Sequence, residues 1–375
     1  MSSGDHVPDG MTRYGRGLAG VQRRVFWPAI AVVLPVAATA IAFPAAAEQA
    51  IGALQEHVID VFGWYYVLLV AGFVAFALWV GLGRWGDLTL GSDDDEPEFR
   101  LLPWFAMLFA AGMGIGLVFY GVAEPLSHFS SPKPGVTGTP AQLAQSALAQ
   151  TYLHWGVHAW AIYVVVGLAV AWAVHRRGRP VSIRWALEPL LGDRVRGGLG
   201  DTIDVVAVVG TLFGVATSLG LGVLQISAGL GHIGLAAPGR TTQVVIIVVI
   251  TAAATWSVVS GLDRGLKWLS NVNVGLAGLL LVSVLVLGPT LFLLRGFVQS
   301  LGVYLSTVVP LTFNVSAYAG AEGEAWQAAW TTFYWGWWMS WAPFVGVFIA
   351  RISRGRTVRE FVGGVLLVPT LVTFL

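Results

Sequence analysis

Apolar runs long enough to cross a bilayer alternate along this chain with short polar segments rich in arginine, so the pattern predicts membrane-spanning helices rather than a folded soluble core. Spans are expected near 25–47, 61–83, 101–123, 146–174, 203–230, 241–262, 269–294 and 325–350, with a partial one at 361–375. Residues 1–24 form a polar tail, and 25–375 form one helical membrane unit. The run 296–321 is harder to place. Pro310 interrupts it, and Gln299, Ser300, Ser306 and Thr307 give its helix, 296–313, one wet face. That pattern predicts a helix lying in the interface. Residues 361–375 enter an apolar run and stop at Leu375, short of the roughly 20 residues a span requires, which reads as a chain cut within a helix.

The basic residues test this arrangement. With the N-terminus cytoplasmic and 296–321 not crossing, every one of the 21 Lys and Arg falls inside except Lys133, Arg240 and Arg295. If 296–321 crossed, the cluster of Arg351, Arg354 and Arg356 would move outside and weaken that bias. Composition agrees with a membrane class: 56% of residues are hydrophobic, 11% are charged and mean hydropathy is +0.74. The first apolar run is too long for the core of a cleavable signal and reads as an anchor that stays. Net charge is +1, which points to no nucleic-acid partner, and with no cysteine there is neither a disulfide nor a thiolate metal site.

Two features carry candidate chemistry. The uncharged run 101–123 holds Gly112, Gly114 and Gly116, which cost helix stability and free the backbone to leave helical geometry. A break at that depth exposes carbonyls able to hold a cation or a substrate. On the glycines alone, a small-residue notch for helix packing is the commoner cause. The second feature is aromatic. At about 100° per residue, Trp326, Trp330, Trp337, Trp341, Phe344 and Phe348 share one helical stripe, with Trp338 on its flank. Trp155, Trp160 and Tyr163 fan over another helix. Packing is the usual reason for such stripes, but two clusters on different helices could also close a box around a quaternary ammonium group.

Other polar candidates are few. Glu124, followed by Pro125, is expected at the outer mouth as surface or gate. His154 and His158 suit hydrogen bonds between helices better than metal ligation, since no carboxylate is near them in sequence. Asp201 and Asp204 open a span and complement a helix dipole. No paired carboxylate, metal motif or Ser/His/Asp set lies at membrane depth, so the chain does not read as an enzyme. A large aromatic cage in the path also argues against a fast channel.

The stretches GMGIGLVFYGVAEPLSHF at 112–129, HWGVHAWAIY at 154–163 and WGWWMSWAPFVGVFIARISRGRTVREF at 335–361 resemble the betaine/carnitine/choline transporter family, and GTLFGVATSLGLGVLQI at 210–226 fits as well. The resemblance implies an all-α, inverted-repeat sodium-symporter-like fold with two extra N-terminal helices, a first repeat at about 101–294, a truncated second repeat and a homotrimeric assembly. It implies import of a quaternary ammonium compound for osmoprotection, glycine betaine before choline or carnitine, by sodium symport across the plasma membrane, or else a truncated fragment that does not transport. No cofactor is implied beyond the coupling sodium ion. Trp155, Trp160, Tyr163 and Trp338 would form the box, with Trp337, Trp341 and Phe348 on the cytoplasmic route. The Gly112–Gly116 segment would let Ala110 and Met113 offer carbonyls to one sodium ion. Thr211 and Phe344 would contribute to a second, where Val215 supplies no oxygen for a hard cation. Gly116 stands where proton-coupled choline carriers often have aspartate, which favours sodium.

Overall fold

The structure, a computed structural model, describes residues 22–112, 114–259 and 267–375, with side chains described except at 110–112, 258 and 267–270. The described chain is helical almost throughout, with an isolated antiparallel bridge between Thr89 and Thr357. Its α-helices are α1 (Arg23–Ala42), α2 (Pro44–Leu82), α3 (Leu101–Gly112), α4 (Ile115–Ser130), α5 (Pro140–Trp155), α6 (Val157–Ala171), α7 (Glu188–Leu191), α8 (Gly198–His232), α9 (Arg240–Val259), α10 (Lys267–Leu287), α11 (Thr290–Thr312), α12 (Gly320–Gln327), α13 (Phe333–Ile352) and α14 (Val358–Phe374). Among the described residues, six helical stretches are long and apolar enough to cross a membrane. The expected all-α membrane class is what the chain adopts.

Local chemistry explains the helix ends. Pro44 occupies the first turn of α2, where its missing N–H costs nothing, so a new helix starts one residue after α1 ends. That helix runs on through 48–60, which the hydropathy pattern leaves between two spans. Helix α5 begins at Pro140, upstream of the apolar stretch, because Thr139 and Gln142 form a reciprocal capping box. Thr357 and Glu360 do the same for α14. Gly288 and Pro289 divide the predicted span 269–294 into the end of α10 and the start of α11. The run expected to lie in the interface belongs to α11, which packs on α5 and is itself of membrane-spanning length.

The packed centre consists of α6 against α13, with α2 and α14 on α6 and α8 on α13. Small residues set the closest approach: a methyl group on Gly346 would come within 3.1 Å of the Gly167 backbone nitrogen. The loop after α2 is tied to the turn between α13 and α14. Leu90 N–H donates to the Arg356 carbonyl, Gly355 N–H to that of Leu90 and Val358 N–H to that of Leu88, each at 2.8 Å. Helices α9 and α10 turn Val245, Val248, Val249, Leu279 and Leu287 outward, a surface suited to hydrocarbon and not to water.

Candidate functional site

The helix expected to cross at 101–123 is interrupted. Helix α3 ends at Gly112, α4 starts at Ile115, and Gly114 between them has extended backbone. The second of the two expected sodium carbonyls, at Met113, lies outside the described residues, and Ala110 is in the last turn of α3. A second interruption, at Gly156, separates α5 from α6. There Gly156 is required by space: a methyl group would meet the Tyr152 carbonyl oxygen at 2.5 Å and the Phe374 ring at 2.7 Å. A single glycine in an otherwise ordinary apolar run gives little sequence signal of a break, so 146–174 reads as one continuous span.

Beside both breaks is a chamber of about 50 Å³ lined by Gly114, Gly116, Leu117, Trp155, Tyr163, Ser218, Trp337, Trp338, Trp341 and Val345. Its aromatic walls meet at right angles. Trp337 and Trp338 stack at 4.9 Å with planes 8° apart, and Trp155 presents its ring to Trp338 at 4.9 Å and 77°. Tyr163 closes a further side, 6.2 Å from Trp338 at 78°. Gly116 is what allows this closure: a methyl group there would lie 2.9 Å from Trp337 Cη2 and 3.3 Å from Trp155 Cη2.

The structure therefore brings together Trp155, Tyr163, Trp337, Trp338, Trp341, Gly114 and Gly116, and it leaves other predicted residues apart. Trp160 is buried behind Tyr163, 5.4 Å from it, and does not line the chamber. Phe348 and Phe344 are 37% and 50% exposed, further along the same face of α13, and do not line the chamber; Phe344 reaches Trp341 at 6.4 Å. Thr211 is half-buried and Val215 is exposed, because the face that α8 turns to α13 is Gly210, Gly214 and Ser218. Gly112 ends α3.

Among the described residues, three buried donors at the chamber have no partner: Ser218 Oγ, Trp337 Nε1 and Trp341 Nε1. Buried N–H and O–H groups are costly when unsatisfied, so this arrangement suits a ligand or water bearing acceptors. Sequence reasoning missed Ser218. Its signal is the Gly210, Gly214, Ser218, Gly222 repeat, small residues every four positions that mark the packed face of α8.

Of the two roles expected for Glu124, surface or gate, the surface role is overturned. Its side chain is fully buried. Oε2 accepts from Trp155 Nε1 at 2.7 Å and from the Tyr334 hydroxyl at 2.5 Å, while Oε1 lies 2.5 Å from His154 Nδ1 and 3.2 Å from His128 Nε2. The carboxylate that seemed absent near His154 is thus supplied by a helix 30 residues away in sequence. His154 Nε2 reaches Thr331 Oγ1 and Gln150 Nε2, both at 3.0 Å, and His158 Nε2 reaches Thr312 Oγ1 at 2.7 Å. Glu124, His128 and His154 hold three potential ligand atoms within 4.8 Å of one another, but at Glu124 and His154 those atoms are engaged in hydrogen bonds that join α4, α5 and α13. Asp201 and Asp204 are engaged by Arg184, at 2.8 and 2.6 Å, and Ser182 also donates to Asp204. They fasten the segment after α6 to the start of α8.

Fold and site together define an all-helical membrane protein with a small aromatic chamber walled by a broken helix. Residues 24–375 match the betaine/carnitine/choline family transporter profile, and the chain belongs to that family, whose members are transporters and not enzymes. It is 53% identical over 362 residues to an uncharacterized transporter of Mycobacterium tuberculosis, covering 96% of this chain and 60% of that relative's length. It is 47% identical over 352 residues to the glycine betaine transporter OpuD of Bacillus subtilis, covering 94% of this chain and 68% of the relative. An osmo-independent choline transporter of Acinetobacter baylyi is 40% identical over 346 residues, 92% of this chain and 65% of that protein.

Proposed function

We propose that this protein imports a quaternary ammonium compound, glycine betaine first, by sodium symport across the plasma membrane, for osmotic protection. The observation that carries this reading is the chamber's double character. Indole and phenol faces attract a methylated cation that has no N–H to satisfy, and they do so most strongly where water is excluded. Unpartnered Ser218, Trp337 and Trp341 donors at the same chamber suit the carboxylate of a zwitterion. Choline lacks that carboxylate, which places it second. Relatives named as glycine betaine and choline transporters support the substrate class.

The chamber is narrowest where Gly116 meets Trp337, and in this reading α4 and α13 part at that contact on loading. Alternating access supplies that motion: sodium held by carbonyls at the α3–α4 break favours an outward-open form, and substrate then permits rocking and inward release. Within this reading the repeats are inverted, residues 296–313 lie in the interface, the N-terminus is cytoplasmic and the assembly is a homotrimer. Thr211 and Phe344 would serve a second sodium ion, weakened by Val215.

Uptake of radiolabelled glycine betaine into proteoliposomes tests the proposal. Saturable uptake that needs an inward sodium gradient, and that excess choline inhibits only weakly, is expected. Uptake of choline in preference to betaine would overturn the substrate assignment, and uptake indifferent to sodium would overturn the coupling.

A further inference from the structure

We propose that Glu124 is a positioning residue for the chamber, one whose carboxylate fixes the plane of the Trp155 indole and strengthens the ring face that meets the cation. The inference rests on the quaternary ammonium reading above and adds a residue that touches neither substrate nor sodium in it.

An indole N–H can only donate, so a buried tryptophan takes its orientation from whichever acceptor is in reach. For Trp155 that acceptor is Glu124 Oε2, at 2.7 Å, on the helix immediately beyond the α3–α4 break. The same oxygen accepts from Tyr334, whose ring meets Trp155 edge-on at 5.6 Å and stacks on Trp337 and Trp338 at 6.1 and 6.0 Å. The other box tryptophan is tied nearby: Trp338 Nε1 donates to the His154 carbonyl at 3.0 Å. One turn at the end of α5 thus holds both rings, and Glu124 secures it through Trp155 Nε1 and His154 Nδ1.

Glutamate suits this post because its oxygens only accept when ionised, and the neighbours Trp155, Tyr334, His154 and His128 can all donate. A charge-assisted bond from the indole N–H to a carboxylate also shifts electron density toward the ring, and a cation over the face gains from it. Glutamine at 124 keeps one acceptor oxygen for Trp155 but removes the charge, so it separates the electrostatic role from simple bonding between helices. A bland structural role, gluing α4 to α5 and α13, would act whatever residue stands at 155.

The test is a double-mutant cycle with E124Q and W155F in protein reconstituted in lipid nanodiscs, with glycine betaine affinity read by titration calorimetry. Phenylalanine keeps an aromatic face and has no N–H. With Trp155 in place, E124Q is expected to weaken binding by about 3- to 10-fold. On the W155F background the same change is expected to cost less than about twofold. Equal losses on both backgrounds, or no loss on the first, overturn the proposal. Where E124Q does not accumulate, E124D replaces it and is read the same way: a weakening with Trp155 that vanishes on the W155F background supports the proposal, and one that persists overturns it. Parent protein that binds neither betaine nor choline would overturn the functional reading itself, an outcome distinct from parent binding with additive losses.

Discussion

The two helix breaks beside the chamber are made by glycines with opposite duties. At Gly114 nothing among the described residues lies within 4 Å of where a side chain would begin, and its backbone is extended, so the residue's contribution is freedom. At Gly156 the space is full, with the Tyr152 carbonyl and the Phe374 ring in place of a methyl group. The first break is open on its chamber side, the second is clamped by α14. A pocket that must open and close gains from one wall that moves and one that does not, and the tryptophans divide accordingly: Trp155 ends the clamped helix, while Gly116, on the loose side, leans on Trp337.

Substitutions can break or sharpen that contrast. Gly156→Ala forces the α5–α14 contact apart and should destabilise the protein by about 1–3 kcal/mol, seen as a fall in unfolding temperature in detergent. An unchanged unfolding temperature would mean the break is not clamped. Trp338→Ala removes a chamber wall and should weaken glycine betaine binding by about 1–2 kcal/mol; unchanged affinity in calorimetry would remove Trp338 from the box. Gly114→Ala should stabilise by about 0.4–1 kcal/mol, because extended backbone accepts alanine and the unfolded chain loses freedom. Slower uptake alongside that higher stability would identify Gly114 as the hinge, and uptake at the parent rate would argue that the moving wall lies elsewhere.

A further effect concerns the loop between α4 and α5. Lys133 donates to Gln327 at 3.1 Å and lies 4.6 Å from the Trp326 ring, and burial pushes its ammonium down to about 8. The folded protein then releases this proton near pH 8, whereas the unfolded chain keeps it to about 10.4. Since the unfolded state binds more protons across that interval, this group makes stability rise as pH climbs from about 8 toward 10.4. Unfolding temperatures across that range should show the slope in the parent protein and lose it in Lys133→Met; an equal slope in both would assign it to another group.

Much of this architecture was legible because hydropathy is local and additive. The glycine triplet marked the α3–α4 break, and the two aromatic clusters marked the helices that meet at the chamber. What the sequence concealed depends on contacts between distant segments. Glu124 looks like a span boundary because a carboxylate at the end of an apolar run ordinarily faces water. It is buried because Trp155 and Tyr334, 31 and 210 residues away, bring donors to it. Gly156 is silent for a similar reason: its crowding comes from Phe374, at the far end of α14. Phe344 and Phe348 share the helical stripe of Trp337 and Trp341 but end on exposed surface, since a stripe fixes angle and not which neighbour covers it.

The account turns on attraction between aromatic faces and a positive charge, and one pair of ligands isolates it. Glycine betaine and 3,3-dimethylbutanoate have the same shape and carboxylate, but the second has carbon where the first has a quaternary nitrogen. Titrated into purified protein in sodium buffer, betaine should bind at least about tenfold more tightly than its carbon counterpart. Equal affinities would show that the chamber recognises only shape and carboxylate, and the cation-binding account would fall.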